Sequence, residues 1–147
     1  MTKPAHILIA CFGLFIVSNY AEADQALRLP NIFSNRMVLQ AEKPITIWGW
    51  AAKGAPVQVS LGEQNVQTTA DKMGSWRVTL PKFEKSFEPK QLVIVAGEER
   101  ITITDVLMGE VWICGGQSNM AWTLQGSRDG DLEIASANSP HIRFNRI

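Results

Sequence analysis

From Met37 to Ile103, apolar and polar residues alternate with a period of two, the spacing of half-buried strands. Met37-Val38-Leu39-Gln40 opens the series, and Ile45-Thr46-Ile47-Trp48-Gly49-Trp50 follows. In the second run Ile45 and Ile47 fall on one face; Thr46, Trp48 and Trp50 fall on the other. Val57-Gln58-Val59-Ser60-Leu61 predicts a strand with Val57, Val59 and Leu61 inward. Gly62-Glu63-Gln64-Asn65 turns the chain into Val66-Gln67-Thr68-Thr69, and Asp71-Lys72-Met73-Gly74 turns it again before Trp76-Arg77-Val78-Thr79-Leu80. Leu92-Val93-Ile94-Val95 and Ile101-Thr102-Ile103 close the set across a charged turn at residues 97–100. Residues 82–90, charged and carrying Pro89, read as a surface loop with Phe83 and Phe87 tucked inward. Short, evenly spaced strands with turn signals between them predict a β-sandwich of jelly-roll or immunoglobulin-like type over residues 24–105.

The period changes after Asp105. Residues 106–114 form a longer apolar segment ending in Val111-Trp112-Ile113-Cys114, which reads as a buried strand. The turn Gly115-Gly116-Gln117-Ser118 follows, then residues 120–125, compatible with helix. Residues 127–130 read as a loop and residues 131–137 as a short helix that Asn138 and Pro140 end. Ile142-Arg143-Phe144 begins another strand. Strand, helix, strand is the opening β-α-β part of an α/β domain with a parallel sheet, expected over residues 106–147. Two parallel strands do not make a stable sheet, so this unit is expected to be truncated.

Composition narrows the function classes. Fourteen basic and fourteen acidic residues balance, without a dense basic cluster, which gives nucleic-acid binding little support. Lys3, the apolar run of residues 7–17 and Ala21-Glu22-Ala23 have the order of a secretory signal, so residues 1–23 are expected to be cleaved after Ala23. The mature chain would then be secreted or periplasmic, with no membrane association. Leu8-Ile9-Ala10-Cys11 also fits a lipoprotein box, but the apolar run continues past Cys11, which argues against lipidation. Beyond residue 23 only Cys114 remains, so no internal disulfide can form there; inside an apolar run it reads as a small buried hydrophobe. No cofactor or metal set is indicated.

The candidate chemistry sits at Ser118. A serine after a strand and a glycine turn, at the first turn of a helix, stands beside backbone N–H groups that lack helical partners. Nucleophile and oxyanion donor can then share one loop, and Gly115 and Gly116 leave room for close approach. A set four-residue string is expected by chance in such a chain only about once in a thousand. The plainer alternative is that Ser118 is a helix N-cap. The hydroxyl needs a base. His6 would leave with the signal, and His141, at a strand entry, is expected at the opposite end of the sheet and reads as a surface histidine.

Gly116-Gln117-Ser118-Asn119 resembles the first sequence block of the SGNH hydrolases. The longer run from Gly109 to Met120 is similar to that of the sialate O-acetylesterase family. Leu29-Pro30-Asn31-Ile32-Phe33-Ser34, Met37-Val38-Leu39-Gln40, Trp48-Gly49-Trp50 and Gly74-Ser75-Trp76 are similar to that family's N-terminal β-domain. The resemblance implies a carbohydrate O-acetylesterase acting on an O-acetylated sugar or glycan. Ser118 would be its nucleophile and the Ser118 N–H part of its oxyanion hole. It implies that the base histidine, its aspartate and the other oxyanion donors belong to later blocks. Gly115 stands where the family often has serine, and Ala121 where it often has glutamate, which bears on the substrate pocket. The competing expectation is a non-catalytic β-sandwich that binds glycans through Trp48 or Trp50, a reading that core-facing indoles would weaken.

Overall fold

The computed structural model describes residues 26–145. The expected signal, with His6 and Cys11, lies outside the described residues. Among the described residues seven strands form: β1 (Val38–Gln40), β2 (Ile45–Trp50), β3 (Pro56–Leu61), β4 (Gln64–Thr69), β5 (Ser75–Leu80), β6 (Ser86–Ala96) and β7 (Glu99–Gly109). Five make one sheet in the order β1-β7-β6-β3-β4, and β2 pairs with β5 in a second. All pairings are antiparallel except β1 with β7. A short helix, α1 (Gly130–Ser136), follows two 3-10 turns.

The alternating pattern decides which face is covered. Ile45 and Ile47 of β2, and Trp76, Val78 and Leu80 of β5, are buried from one side. Val57, Val59 and Leu61 of β3, with Leu92 and Ile94 of β6, are buried from the other. All belong to one apolar cluster, so the two sheets share a core. Each such aliphatic side chain contributes roughly 1.5–3 kcal/mol on burial. Two-residue turns close the hairpins, with Gly62 (φ 56°) leading β3 into β4 and Gly97 (φ 59°) leading β6 into β7. Between β4 and β5, Asp71 Oδ1 accepts hydrogen bonds from the N–H groups of Met73 (2.8 Å) and Ser75 (2.9 Å), which holds the turn that aligns β5.

β7 carries a bulge that the alternation did not reveal. Leu92 pairs with Ile103 and Lys90 with Val106, so Gln91 faces two residues, Thr104 and Asp105. Asp105 takes the left-handed conformation (φ 57°) there. The extra residue reverses the parity of the strand. Ile103 points into the core before it, and Val106 and Met108 point in after it.

The expected loop at residues 82–90 is partly wrong. Ser86 pairs with Met108 and Lys90 with Val106, extending β6 irregularly past Pro89. The pairing partner lies in the strand after the bulge, so the local charge and proline pattern could not announce it. Proline is tolerated because the ladder is already broken beside it. Phe83 does pack against the core, but Phe87 points outward and is 72% exposed.

Candidate active site

β7 delivers the chain at Gly109, nine residues before Ser118. Residues 111–114 do not form the expected buried strand. They are irregular and exposed, Trp112 by 82% and Ile113 by 98%. No described strand lies beside this run, and a strand needs a neighbour to satisfy its backbone groups. Cys114 is correspondingly exposed instead of buried.

Ser118 opens a 3-10 turn (Ser118–Ala121), with Met120 N–H donating to Gln117 C=O at 2.9 Å. Gln117 holds the N-cap position, so Ser118 is not the capping residue. As the first residue of the turn it has a backbone N–H without an intrahelical acceptor, and its hydroxyl is exposed. Gly116 has a defined job here: a Cβ on it would stand 2.5 Å from Met120 Cγ, so its absence lets Met120 fold back over the turn. Gly115 has open space where its Cβ would be. Residues 120–125 form no α-helix; a second 3-10 turn (Leu124–Gly126) takes their place before α1.

No base reaches Ser118 among the described residues. His141 is a surface residue, as expected, but the strand it was expected to enter is not formed. Its ring stacks on Phe87 of β6, centroids 4.2 Å apart and 24° between planes. Phe144 is 95% exposed. The residue of that segment which is anchored is Arg143, with a side chain only 12% exposed. Its guanidinium donates to the backbone carbonyl of Asp105 and, at 3.0 Å, to Asp105 Oδ1. Arg36 approaches the other carboxylate oxygen at 3.7 Å. Sequence reasoning missed this contact because neither the bulge nor the return of residues 141–145 has a local signature.

The aromatic candidates for sugar stacking divide. Trp76 is a core residue. Trp48 and Trp50 lie on the outer face of β2, half-buried, with Phe33 edge-on to Trp48 (4.8 Å) and the Arg28 guanidinium 4.1 Å from the centre of the Trp50 ring. Both indoles therefore already have protein partners. Among the described residues no group of three or more His, Cys, Asp or Glu could hold a metal, and no helix is long and apolar enough to cross a membrane.

No family model matches the chain. Individual proteins do. It is 37% identical to human sialate O-acetylesterase over 136 residues, covering 84% of this chain and 25% of that protein. The mouse sialate O-acetylesterase is 31% identical over 132 residues, with 83% and 24% covered. In structure the chain resembles a carbohydrate acetylesterase from Xanthomonas citri, with a TM-score of 0.75 and 34% identity, over 78% of this chain and 26% of that one. The chain spans about a quarter of the length of the proteins it matches. Over that span, it belongs to the sialate O-acetylesterase family.

Proposed function

We propose that this sequence works within a longer secreted protein, a serine-type carbohydrate O-acetylesterase of SGNH type, with Ser118 as nucleophile. The observation that carries the reading is the exposed Ser118, set by a glycine pair at the start of a tight turn, in a chain whose relatives are named for acetyl-ester cleavage. The Ser118 oxygen attacks the acetyl carbonyl carbon as a base removes its proton, and the Ser118 N–H donates to the oxyanion. Collapse of the tetrahedral intermediate releases the sugar hydroxyl, and water then cleaves the acetyl-serine. Base, orienting carboxylate and further oxyanion donors come from parts of the longer protein beyond these 147 residues. The run at residues 111–114 becomes a strand of a parallel α/β sheet once neighbours from those parts lie beside it. Residues 1–23 act as the signal and 24–105 as the β-domain.

The test is hydrolysis of an aryl acetate. The 147-residue chain alone is expected to be inactive, whereas a full-length protein carrying this sequence turns over and loses at least about 10³-fold in kcat with Ser118→Ala. Ser118-dependent turnover by the short chain would overturn its incompleteness, and an active full-length Ser118→Ala enzyme would remove the nucleophile.

A further inference from the structure

The parallel ladder between β1 and β7 ends in an unusual way. Leu107 N–H donates to Met37 C=O (3.1 Å), and Ala41 N–H donates to Gly109 C=O (2.8 Å). The next rung of a parallel ladder would join Val111 N–H to Ala41 C=O. The backbone cannot make it, because Glu42 turns away in the left-handed conformation (φ 61°) and donates its N–H to Phe83 C=O at 2.8 Å. The Gln40 side chain fills the gap. Its Oε1 accepts from Val111 N–H at 3.0 Å and its Nε2 donates to Ala41 C=O at 3.3 Å. A carboxamide has the donor and acceptor of a peptide group, so Gln40 adds one rung beyond the strand that carries it. Nε2 also donates to Glu110 Oε2 at 3.1 Å, and Glu110 Oε1 receives Lys85 Nζ at 2.7 Å.

This splice is the last tie on the chain before the exposed run that leads to Ser118, seven residues past Val111. We propose that Gln40 is a positioning residue for Ser118: its carboxamide fixes the direction in which the chain leaves the β-domain toward the nucleophile turn. The inference rests on Ser118 being the nucleophile. Only glutamine supplies all three bonds. Leucine has the size but no polar atoms. Glutamate would set a carboxylate against Ala41 C=O and the Glu110 carboxylate.

The charges around the splice support it. Glu110 faces Lys85 and Lys43, and Lys85 faces Glu110 and Glu42. Hydrogen bonds from Lys85 and Gln40 hold the Glu110 carboxyl below its ordinary value, and the bond to Glu110 raises the Lys85 ammonium above its own. The carboxyl therefore stays charged to lower pH than an ordinary carboxylate, and the ammonium to higher pH than an ordinary lysine. The native joint is therefore insensitive to pH between about 5 and 8.

Cys114 supplies the probe, being exposed and three residues past Val111. A nitroxide is placed on it in the 147-residue chain with Cys11→Ser, and its mobility is read by electron paramagnetic resonance. Gln40→Leu is expected to shorten the label's correlation time at least twofold with little change in the melting of the β-domain. Gln40→Glu should loosen the label at pH 8 and restore it progressively as the solution is acidified toward about pH 4, as the two adjacent carboxyls come to share a proton. Loss of packing alone would give no such recovery. A label indifferent to Gln40→Leu, or no recovery of Gln40→Glu in acid, overturns the splice. In the full-length protein Gln40→Leu should lower kcat about tenfold and leave KM unchanged; an unchanged kcat overturns the positioning role. Ser118→Ala is scored separately, so an ordered exit in a protein without Ser118-dependent hydrolysis discards the esterase reading and leaves the splice standing.

Discussion

Two glycines show how one atom can have different consequences at different sites. A Cβ on Gly49 would fall onto the carbonyl of Arg28 and stand 2.8 Å from the Trp76 ring. Arg28 and Trp50 exchange backbone hydrogen bonds at 2.9 Å, so that carbonyl cannot retreat without opening the bridge. Gly49→Ala is expected to cost about 1–3 kcal/mol of stability, read by denaturant unfolding, through overpacking beside the core. A Cβ on Gly116 meets only the side chain of Met120, which has free rotamers and is itself exposed. Gly116→Ala should leave stability within about 0.5 kcal/mol of the parent. Its effect should fall instead on turnover in the full-length protein, because the turn holding Ser118 must re-form around a displaced methionine. A large stability loss from Gly116→Ala would mean that the turn is tied to the β-domain core, contrary to its exposure. The motif at residues 115–120 was legible in the sequence because its glycines and serine are local chemistry. The surroundings of Ser118 were not, since burial of residues 111–114 depends on neighbours that no local pattern supplies.

The bulge in β7 is one of the elements that tie residues 141–145 back to the strands. It reverses the inward parity so that Val106 and Met108 enter the core, and it turns the Asp105 backbone and carboxylate toward Arg143. Asp105 adopts a conformation that costs most residues about 1–2 kcal/mol, less for aspartate and least for glycine. Three substitutions separate conformation from pairing. Asp105→Ala loses the carboxylate and retains the strain; Asp105→Gly loses the carboxylate and relieves the strain. The glycine variant should be the more stable of the two by about 1 kcal/mol in chemical denaturation. Arg143→Met, which keeps most of the buried stem, should cost about 1–2 kcal/mol, because Asp105 is partly solvated and retains Arg36. If Asp105→Ala were the more stable, the left-handed backbone would not be what aspartate tolerates there. Strands β2, β3 and β5 were readable to within a residue at each end because their alternation runs unbroken. The two-against-one register at Asp105 breaks that alternation, which is why β7 reads as two shorter segments in the sequence. The early half of β6 hides for a related reason: its partner is the part of β7 that the bulge re-aims.

At the scale of the molecule, order falls sharply at one point in the chain. Strands β1 to β7 are each hydrogen-bonded to a neighbour, and the two sheets share one core. Past Val111 the apolar side chains Trp112, Ile113, Trp122, Leu132, Ile142 and Phe144 are exposed, more surface of this kind than a free-standing domain usually shows. α1 is seven residues long, and a helix that short does not hold itself in water. The two regions should therefore part company in hydrogen exchange. Amides of β3, β6 and the core-facing half of β7 are expected to exchange only with global opening. Those of residues 112–128 should exchange several orders of magnitude faster, the backbone bonds of their 3-10 turns being open to water. Arg143 and His141 should give intermediate protection to their own short segment, because each is fastened to the β-domain by side chain alone. The exposed apolar run should also bind a hydrophobic dye and lower solubility, and both effects should vanish in a full-length protein that covers it. Slow exchange at Trp112 and Ile113 in the 147-residue chain would show that this run has found a partner strand by itself. The strands and the Ser118 segment would then be a single cooperative unit, and no further sheet would be needed to bury it.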